Sequence, residues 1–275
     1  MVTHNAGSKS LSDPQLASRR YLATGLARTG MTYLSLSLAQ IDGVKPHGEA
    51  LRKPRRGGRA NPGNYAEFRT LVGRSQRTLH PRRDRVEFVD MLLTPTEEHP
   101  VVGVKLLPLD WCWPKRYISW SPLLMRILRM GSLVDYVISN EIPVLLFVRE
   151  NILKLFVSTL LAARDESWSS EHPRISDQIH LDPRTIIRDL DLIDATQQGL
   201  VELCRKFPET TTITYEDPRD EKLAAVAKAL GLPSISPTGP SFRKQTSDDL
   251  HEVIENYEII ATVLTGTRYE RFLSV

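Results

Sequence analysis

An apolar run that ends in a glycine-bounded loop and continues into a second apolar run stands near the start of this chain, between Arg20 and Tyr33. Gly25 and Gly30 have the spacing of the nucleotide-binding loop G-x-x-x-x-G-K-[ST], and Thr32 stands at the position of its hydroxyl residue. The backbone N–H groups of such a loop bind an anion at the N-terminus of the following helix. The segment therefore predicts a strand, a phosphate-binding loop and a helix, in that order.

Met31 occupies the position of the loop lysine, which normally reaches the β- and γ-phosphates of a nucleoside triphosphate. Without this lysine, hydrolysis of ATP or GTP loses much of its electrostatic stabilisation. Arg28 supplies positive charge from inside the loop instead. The loop is therefore predicted to bind phosphate, and the hydrolysis of a nucleoside triphosphate is disfavoured.

Apolar runs and helical patterns alternate along the rest of the chain at the spacing of β-α-β units. The predicted strands cover residues 21–25, 86–90, 101–107, 142–148 and 211–215. The predicted helices cover residues 30–41, 123–139, 151–164, 183–207, 218–230 and 247–264, the last with Ser247 as its N-cap. Residues 45–85 are predicted as loop with a short helix at 65–72, because Pro, Gly and Arg dominate 53–64.

The alternation predicts the α/β class, with a mostly parallel central sheet flanked by helices in a P-loop-like nucleotide-binding fold. Ligands of such sheets bind at the carboxyl ends of the strands. A chain of 275 residues suits one large domain. We therefore predict a single domain over residues 19–275, after a disordered tail over residues 1–18.

The charge is unevenly distributed, although the net charge is only +3. Residues 45–85 contain twelve Lys or Arg and three acids, which is typical of a segment that faces an anionic ligand. Cys112 and Cys204 lie far apart, so neither a disulfide framework nor a zinc site is expected. The N-terminus is polar, and no run approaches the roughly 20 apolar residues of a membrane span. We expect a cytoplasmic protein without a nucleic-acid partner.

Two short motifs resemble the signatures of the PAPS-dependent sulfotransferases, where PAPS is 3′-phosphoadenosine-5′-phosphosulfate. The sequence Arg-Thr-Gly-Met-Thr at 28–32 is similar to the family's 5′-phosphosulfate loop, in which Thr stands at the position of Met31. The sequence Val-Leu-Leu-Phe-Val-Arg-Glu-Asn at 144–151, followed by Ser158, is similar to the second signature. Residues 213–217, 230–232, 243–245, 255–257 and 267–272 also resemble the bacterial carbohydrate and nodulation branch.

The resemblance implies transfer of a sulfuryl group from PAPS to the hydroxyl of a small-molecule or glycan acceptor, without a metal. It also implies the residues that bind the cofactor. The amides of the loop bind the 5′-phosphate, and the Arg28 guanidinium stabilises the bridging oxygen. Arg149 and Ser158 bind the 3′-phosphate, and Arg243 and Lys244 close the site from the C-terminal loop. The cofactor-binding residues implied in this way are Arg28, Thr29, Gly30, Met31, Thr32, Arg149, Ser158, Arg243 and Lys244.

The acceptor hydroxyl requires a general base, and three residues are candidates. Glu49 is the first choice, because residues 43–49 resemble a family segment in which a Gly-Glu pair supplies a carboxylate near the acceptor oxygen. His47 is the second, since an imidazole abstracts protons near neutral pH, and His80 is the third. Lys105 stands inside an apolar strand, so it is expected to point to a cleft, a carboxylate or solvent, and the transferring group is one such neighbour.

Two other classes of protein remain open from the residues. A nucleotide kinase or NTPase would use the same loop, and a non-catalytic protein that binds anions or nucleic acid would use the basic segment. Strong salt dependence of DNA or RNA binding distinguishes the last class. Neither the acceptor nor the oligomeric state follows from the sequence.

Overall fold

A central sheet of five parallel strands organises the computed structural model, which describes residues 18–49, 51, 81–108, 131–164, 178–232 and 249–273. The strands are β1 (Arg19–Gly25), β2 (Val44–Glu49), β3 (Val101–Leu106), β4 (Val144–Val148) and β5 (Thr210–Thr214). Their order across the sheet is β2-β3-β1-β4-β5, and every neighbouring pair is parallel. The α/β class and the parallel central sheet predicted from the sequence are confirmed.

Helices cover both faces of this sheet. In the described residues they are α1 (Met31–Leu38), α2 (Pro81–Leu92), α3 (Gly131–Ser139), α4 (Ile152–Arg164), α5 (Ile186–Cys204), α6 (Arg219–Leu230), α7 (Leu250–Val253), α8 (Tyr257–Leu264) and a 3-10 helix at Glu270–Phe272. The α1 face of the sheet packs against α1 and α6. The opposite face, called the α2 face, packs against α2, α3 and the end of α5. A third apolar cluster joins α4 and the start of α5 to the C-terminal helices.

The central strands consist mostly of apolar residues on both faces, as expected for a parallel sheet covered by helices on both sides. All six residues of β3 are buried, and four of the five residues of β4 are buried. Alternate residues of β3 point to opposite faces, so that Val104 and Leu106 join the core of the α2 face. Lys105 is the one charged residue of this strand, and it is only 7% exposed. Its ammonium group therefore requires a partner inside the protein.

Two predictions made for residues 45–90 are wrong. Residues 86–90 belong to helix α2, where Phe88, Val89 and Leu92 are buried at helical spacing. The strand was predicted from only five residues, whereas the helical spacing of the apolar residues becomes visible only over two turns of helix. Residues 45–49 were predicted as loop and form strand β2 instead. This strand contains Pro46, whose missing N–H is tolerated because β2 lies at the edge of the sheet.

The predicted single helix at 247–264 is also wrong, since it consists of α7 and α8. Asp249 caps α7 by accepting a hydrogen bond from the His251 amide at 2.9 Å, whereas Ser247 lies outside the described residues. Ile254 between the helices is extended and forms a parallel bridge with Ile179. Asn256 accepts from the Leu181 N–H at 3.0 Å and donates to its carbonyl at 2.8 Å, which holds the break in place.

The other predicted elements that fall on described residues are present with shifted ends. The helix predicted at 183–207 spans Ile186–Cys204, for example, and the helix predicted at 30–41 spans Met31–Leu38. Residues 1–17 of the predicted tail, the short helix at 65–72 and residues 123–130 lie outside the described residues. Among the helices that are described, none has the length and apolar character needed to cross a bilayer.

Candidate functional site

The loop after β1 adopts the conformation of an anion cradle at the start of helix α1. Arg28 has a φ of 71° and Gly30 a φ of 90°, both in the left-handed region. A non-glycine residue in that region costs about 1–3 kcal/mol and is found mostly where function requires it. Thr29 is buried, and its hydroxyl donates to the Leu26 carbonyl at 2.7 Å, which fixes the turn. A Cβ at Gly25 would lie 2.6 Å from a backbone oxygen of β4, so glycine is required there.

Met31 contributes its backbone to this loop and its side chain to the core. The side chain is 2% exposed and packs in the apolar cluster of the α1 face. Thr32 is exposed and accepts a hydrogen bond from Lys105 through its hydroxyl. Met31 therefore gives the loop no polar side chain and adds apolar contacts beneath it.

The two sequence motifs meet at the carboxyl edge of the sheet. Strands β1 and β4 are neighbours, with Gly25 opposite Phe147, so the segments that follow them emerge side by side. Arg28 Nε donates to Ser158 Oγ at 2.9 Å, although the two residues are 130 positions apart. Ser158 is 5% exposed and lies on α4. A guanidinium and a hydroxyl from different motifs thus line one site.

Arg149 directly follows β4, and its neighbours hold both its backbone and its side chain. Its N–H donates to Gln197 Oε1 and its carbonyl accepts from Gln197 Nε2, each at 3.0 Å. Its guanidinium carbon lies 4.2 Å from the centre of the Tyr215 ring, and Nε lies 3.9 Å from Glu216 Oε1. The side chain is 8% exposed. Arg149 is therefore a largely buried cation in a defined orientation.

Tyr215, Glu216 and Gln197 are parts of this site that the sequence reasoning missed. A Cβ at Gly30 would lie 3.4 Å from Tyr215 Cδ2, so the ring stands between the loop and Arg149. The signal for Tyr215 and Glu216 was their position at the carboxyl end of β5, beside the strand that leads to Arg149. Gln197 gave no such signal, because it lies within a long helix.

Glu49, Lys105 and Thr32 form a second polar group on the α1 face. Lys105 Nζ lies 2.9 Å from Glu49 Oε1 and 3.2 Å from Thr32 Oγ1. The Glu49 side chain is 24% exposed and that of Lys105 is 9% exposed. Lys105 thus points to a carboxylate, one of the three expected surroundings. The bridge from Thr32 to Glu49 connects the phosphate loop with the first candidate base.

The structure separates the two described candidates for the base. A register shift between His47 and Glu49 inserts one residue into β2, so that His47 pairs with Val104 and Glu49 with Lys105. Because paired residues of parallel strands share a face, His47 points to the α2 face and Glu49 to the α1 face. Burial and the nearby Lys45 cation lower the pKa of His47, and a hydrogen bond with the Leu92 backbone opposes them. His80, Arg243 and Lys244 lie outside the described residues.

The charges of the site suit an anion. Arg28, Arg149 and Lys105 are the cations, and Glu49 and Glu216 are the carboxylates beside them. In the part of the chain that the structure describes, no cluster of His, Cys, Asp or Glu could hold a metal ion. Phosphate oxygens bind well to such guanidinium groups, hydroxyls and loop amides.

Comparisons with known proteins add a weak structural likeness. No protein-family model matches this chain, and no curated protein matches it in sequence. Among solved structures it is similar to the sulfotransferase domain from the Synechococcus PCC 7002 olefin synthase, with 13% identity over 83% of each chain and a TM-score of 0.38. A likeness of this extent gives no information on cofactor or acceptor, so the resemblance to the carbohydrate and nodulation branch stays a prediction.

Proposed function

We propose that this protein is a sulfotransferase that moves a sulfuryl group from PAPS to a hydroxyl of a small-molecule or glycan acceptor. The observation that carries the proposal is the 2.9 Å hydrogen bond from Arg28 Nε to Ser158 Oγ. It joins the loop that resembles the 5′-phosphosulfate motif to the helix that resembles the 3′-phosphate motif. A bisphosphorylated nucleotide requires that these two groups of donors lie within one nucleotide of each other.

The donors at the site fit such a cofactor. Residues 28–32 offer backbone N–H groups at the start of α1, which suit the 5′-phosphate. Arg149 and Ser158 offer a guanidinium and a hydroxyl, which suit the 3′-phosphate. The Tyr215 ring beside Gly30 packs against the Arg149 guanidinium and supports its orientation. Arg243 and Lys244 complete the proposed set by resemblance alone.

Glu49 is the proposed base, and the ion pair with Lys105 supports this choice over His47. An ammonium group at 2.9 Å stabilises a carboxylate, which is the form that accepts a proton. Lys105 also bonds to Thr32, the second residue of α1, so Glu49 belongs to the same polar group as the phosphate loop. His47 lies on the other face of the sheet, away from this group.

PAPS supplies an activated sulfuryl group when it is bound. The acceptor oxygen forms a bond to sulfur while the bond between sulfur and the phosphate oxygen breaks. The acceptor proton moves to Glu49, and the electron pair of the broken bond stays on the phosphate oxygen. Arg28 stabilises the charge that develops there, and the fixed loop holds the phosphate in line with the acceptor.

Calorimetric titration with adenosine 3′,5′-bisphosphate tests the cofactor class without knowledge of the acceptor. We expect saturable binding that survives moderate salt and that Arg149→Ala weakens strongly. An exposed arginine outside the site, Arg188, provides a matched control, and Arg188→Ala should bind as the wild type does. Absence of binding by the wild-type protein would overturn the proposal. Mg²⁺-dependent release of phosphate from ATP would favour the kinase or NTPase class instead.

A further inference from the structure

Glu216 lies where the start of helix α4 meets the side chain of Arg149. Its Oε2 accepts a hydrogen bond from the Glu150 amide at 3.0 Å, and its Oε1 accepts from the Asn151 amide at 3.1 Å. The same Oε1 is 3.9 Å from Arg149 Nε. One carboxylate therefore contacts the helix N-terminus and the cation that precedes it.

These contacts occupy the amides of the turn that leads into α4 with a group of the protein itself. Helix N-termini attract anions through their N–H groups and their dipole. Here Glu216 accepts from the amides of Glu150 and Asn151, which directly precede α4, and Asn151 Oδ1 accepts from the Lys154 amide of its first turn at 2.8 Å. We therefore expect an incoming phosphate to be bound by side chains, so the direction of the Arg149 guanidinium decides how well it binds.

Three neighbours in the described part of the chain influence that direction. Gln197 binds the N–H and the carbonyl of Arg149 and so fixes where the side chain begins. The Tyr215 ring lies against the guanidinium, 4.2 Å from its carbon. Glu216 faces the edge that carries Nε, and its own position is set by the two amide bonds. A planar guanidinium with one face against a ring and one edge beside a carboxylate is oriented by packing and charge before the ligand arrives.

We propose that Glu216 is a positioning residue that orients Arg149 toward the 3′-phosphate of the nucleotide. It acts through Arg149 and does not itself contact the ligand. It thereby sets the preference of the site for a nucleotide with a 3′-phosphate over one with a 3′-hydroxyl. This inference rests on the proposed function, since it names a determinant of cofactor selectivity at the same site.

The test compares two ligands, adenosine 3′,5′-bisphosphate and adenosine 5′-monophosphate, which differ only in the 3′-phosphate. The readout is the dissociation constant of the monophosphate divided by that of the bisphosphate. In Glu216→Gln we expect this ratio to fall about tenfold, as for other outer residues that orient a ligand-binding side chain. The affinity for the monophosphate should stay unchanged, because its phosphate binds at the loop after β1.

Glu150→Gln is the matched control, since it removes an exposed carboxylate next to Arg149 whose side chain has no part in the site. Its ratio should equal that of the wild type. Glu216→Asp keeps the charge on a shorter side chain, and its ratio should lie between those of the wild type and Glu216→Gln. Thermal unfolding of each variant shows whether it is folded. If Glu216→Gln is not folded, the ratio measured for Glu216→Asp decides the test.

Each other result overturns the inference. An equal loss of affinity for both ligands indicates a structural role for Glu216, and a rise in the ratio indicates that its carboxylate competes with the phosphate. An unchanged ratio shows that Glu216 has no part in selectivity. If the wild-type protein binds neither ligand, the proposed function fails first, and the Glu216 inference fails with it.

Discussion

The ion pair of Lys105 with Glu49 makes a prediction that can be worked from its geometry. Lys105→Met keeps a long apolar side chain in strand β3 and removes the ammonium that lies 2.9 Å from Glu49 Oε1. The Glu49 carboxylate then stays in a largely buried position without this cation. We expect the variant to be clearly less stable than the wild type, because a largely buried carboxylate loses the ammonium group beside it.

The size of the effect follows from two opposing contributions. At 2.9 Å and an effective dielectric constant of about 20, the attraction is roughly 6 kcal/mol, and the desolvation of two charges cancels most of it. Removal of one partner from a fully buried pair costs about 3–5 kcal/mol. The Glu49 side chain is 24% exposed, so water replaces part of the lost interaction, and we expect about 2–3 kcal/mol. In a chain of this size, that lowers the Tm by roughly 5–10 °C.

Urea unfolding of four proteins measures the coupling: the wild type, Lys105→Met, Glu49→Gln and the double variant. The double variant should be more stable than Lys105→Met, because it no longer contains the charge that the single variant leaves behind. Arg188→Met removes a cation from an exposed pair with Asp189 and should change stability by less than about 0.5 kcal/mol. If Lys105→Met is as stable as the wild type, or if the two single effects add without coupling, the reasoning about this pair is refuted.

Three further variants test other parts of the structure. Gly25→Ala should destabilise the fold by about 2 kcal/mol in urea unfolding, since its Cβ would lie 2.6 Å from a backbone oxygen. Gly266→Ala has open space around its Cβ and should cost only about 1 kcal/mol, because of its positive φ. Equal costs for the two variants would contradict the close approach at Gly25. Arg28→Ala should lower kcat by a factor of about 10²–10³ and leave binding of the 3′-phosphate largely intact. A variant that binds the nucleotide more weakly but keeps its kcat would disprove this role. The hydrogen bond from the Tyr269 hydroxyl, and to a smaller extent Arg268, holds the pKa of Asp191 below its usual range. This contact therefore stabilises the fold at any pH above the pKa that Asp191 has in the unfolded chain. The stabilisation is lost as the pH falls through the lowered pKa of the folded state. Tyr269→Phe should therefore be less stable than the wild type at pH 7, and the difference should shrink in acid; a constant difference would refute the linkage.

The parts of the fold with strong local patterns were predictable. The strand, loop and helix from β1 to α1 follow from an apolar run, two glycines and a second apolar run, and β4 follows from a continuous buried segment. Residues 45–49 and 86–90 were not predictable in this way. The edge strand β2 contains a proline and a glycine and is held by pairing with β3, whereas α2 shows its apolar face only over two turns.

The residues of the candidate site also differ in whether a local sequence pattern predicts them. Arg28, Arg149 and Ser158 stand in motifs that can be recognised from order and spacing, and the structure brings Arg28 against Ser158. The separation of His47 from Glu49 depends on one extra residue in β2, which reverses the face to which Glu49 points. Contacts between elements that are distant in sequence, such as that of Glu216 with α4, leave no periodic pattern to detect.

The pair of bonds between Gln197 and the backbone of Arg149 limits what position 197 can tolerate. The backbone of one residue carries one N–H and one carbonyl, and a primary amide bonds to both at once, with its oxygen as acceptor and its NH₂ group as donor. Glutamate would place a second acceptor against the Arg149 carbonyl, and leucine would leave the N–H and the carbonyl of Arg149 without these hydrogen bonds. Asparagine has the same amide group on a side chain that is one methylene shorter, so it would not reach the backbone of Arg149 in the same way. If the proposed nucleotide site is correct, helix α5 influences nucleotide affinity through Gln197, which does not itself contact the nucleotide.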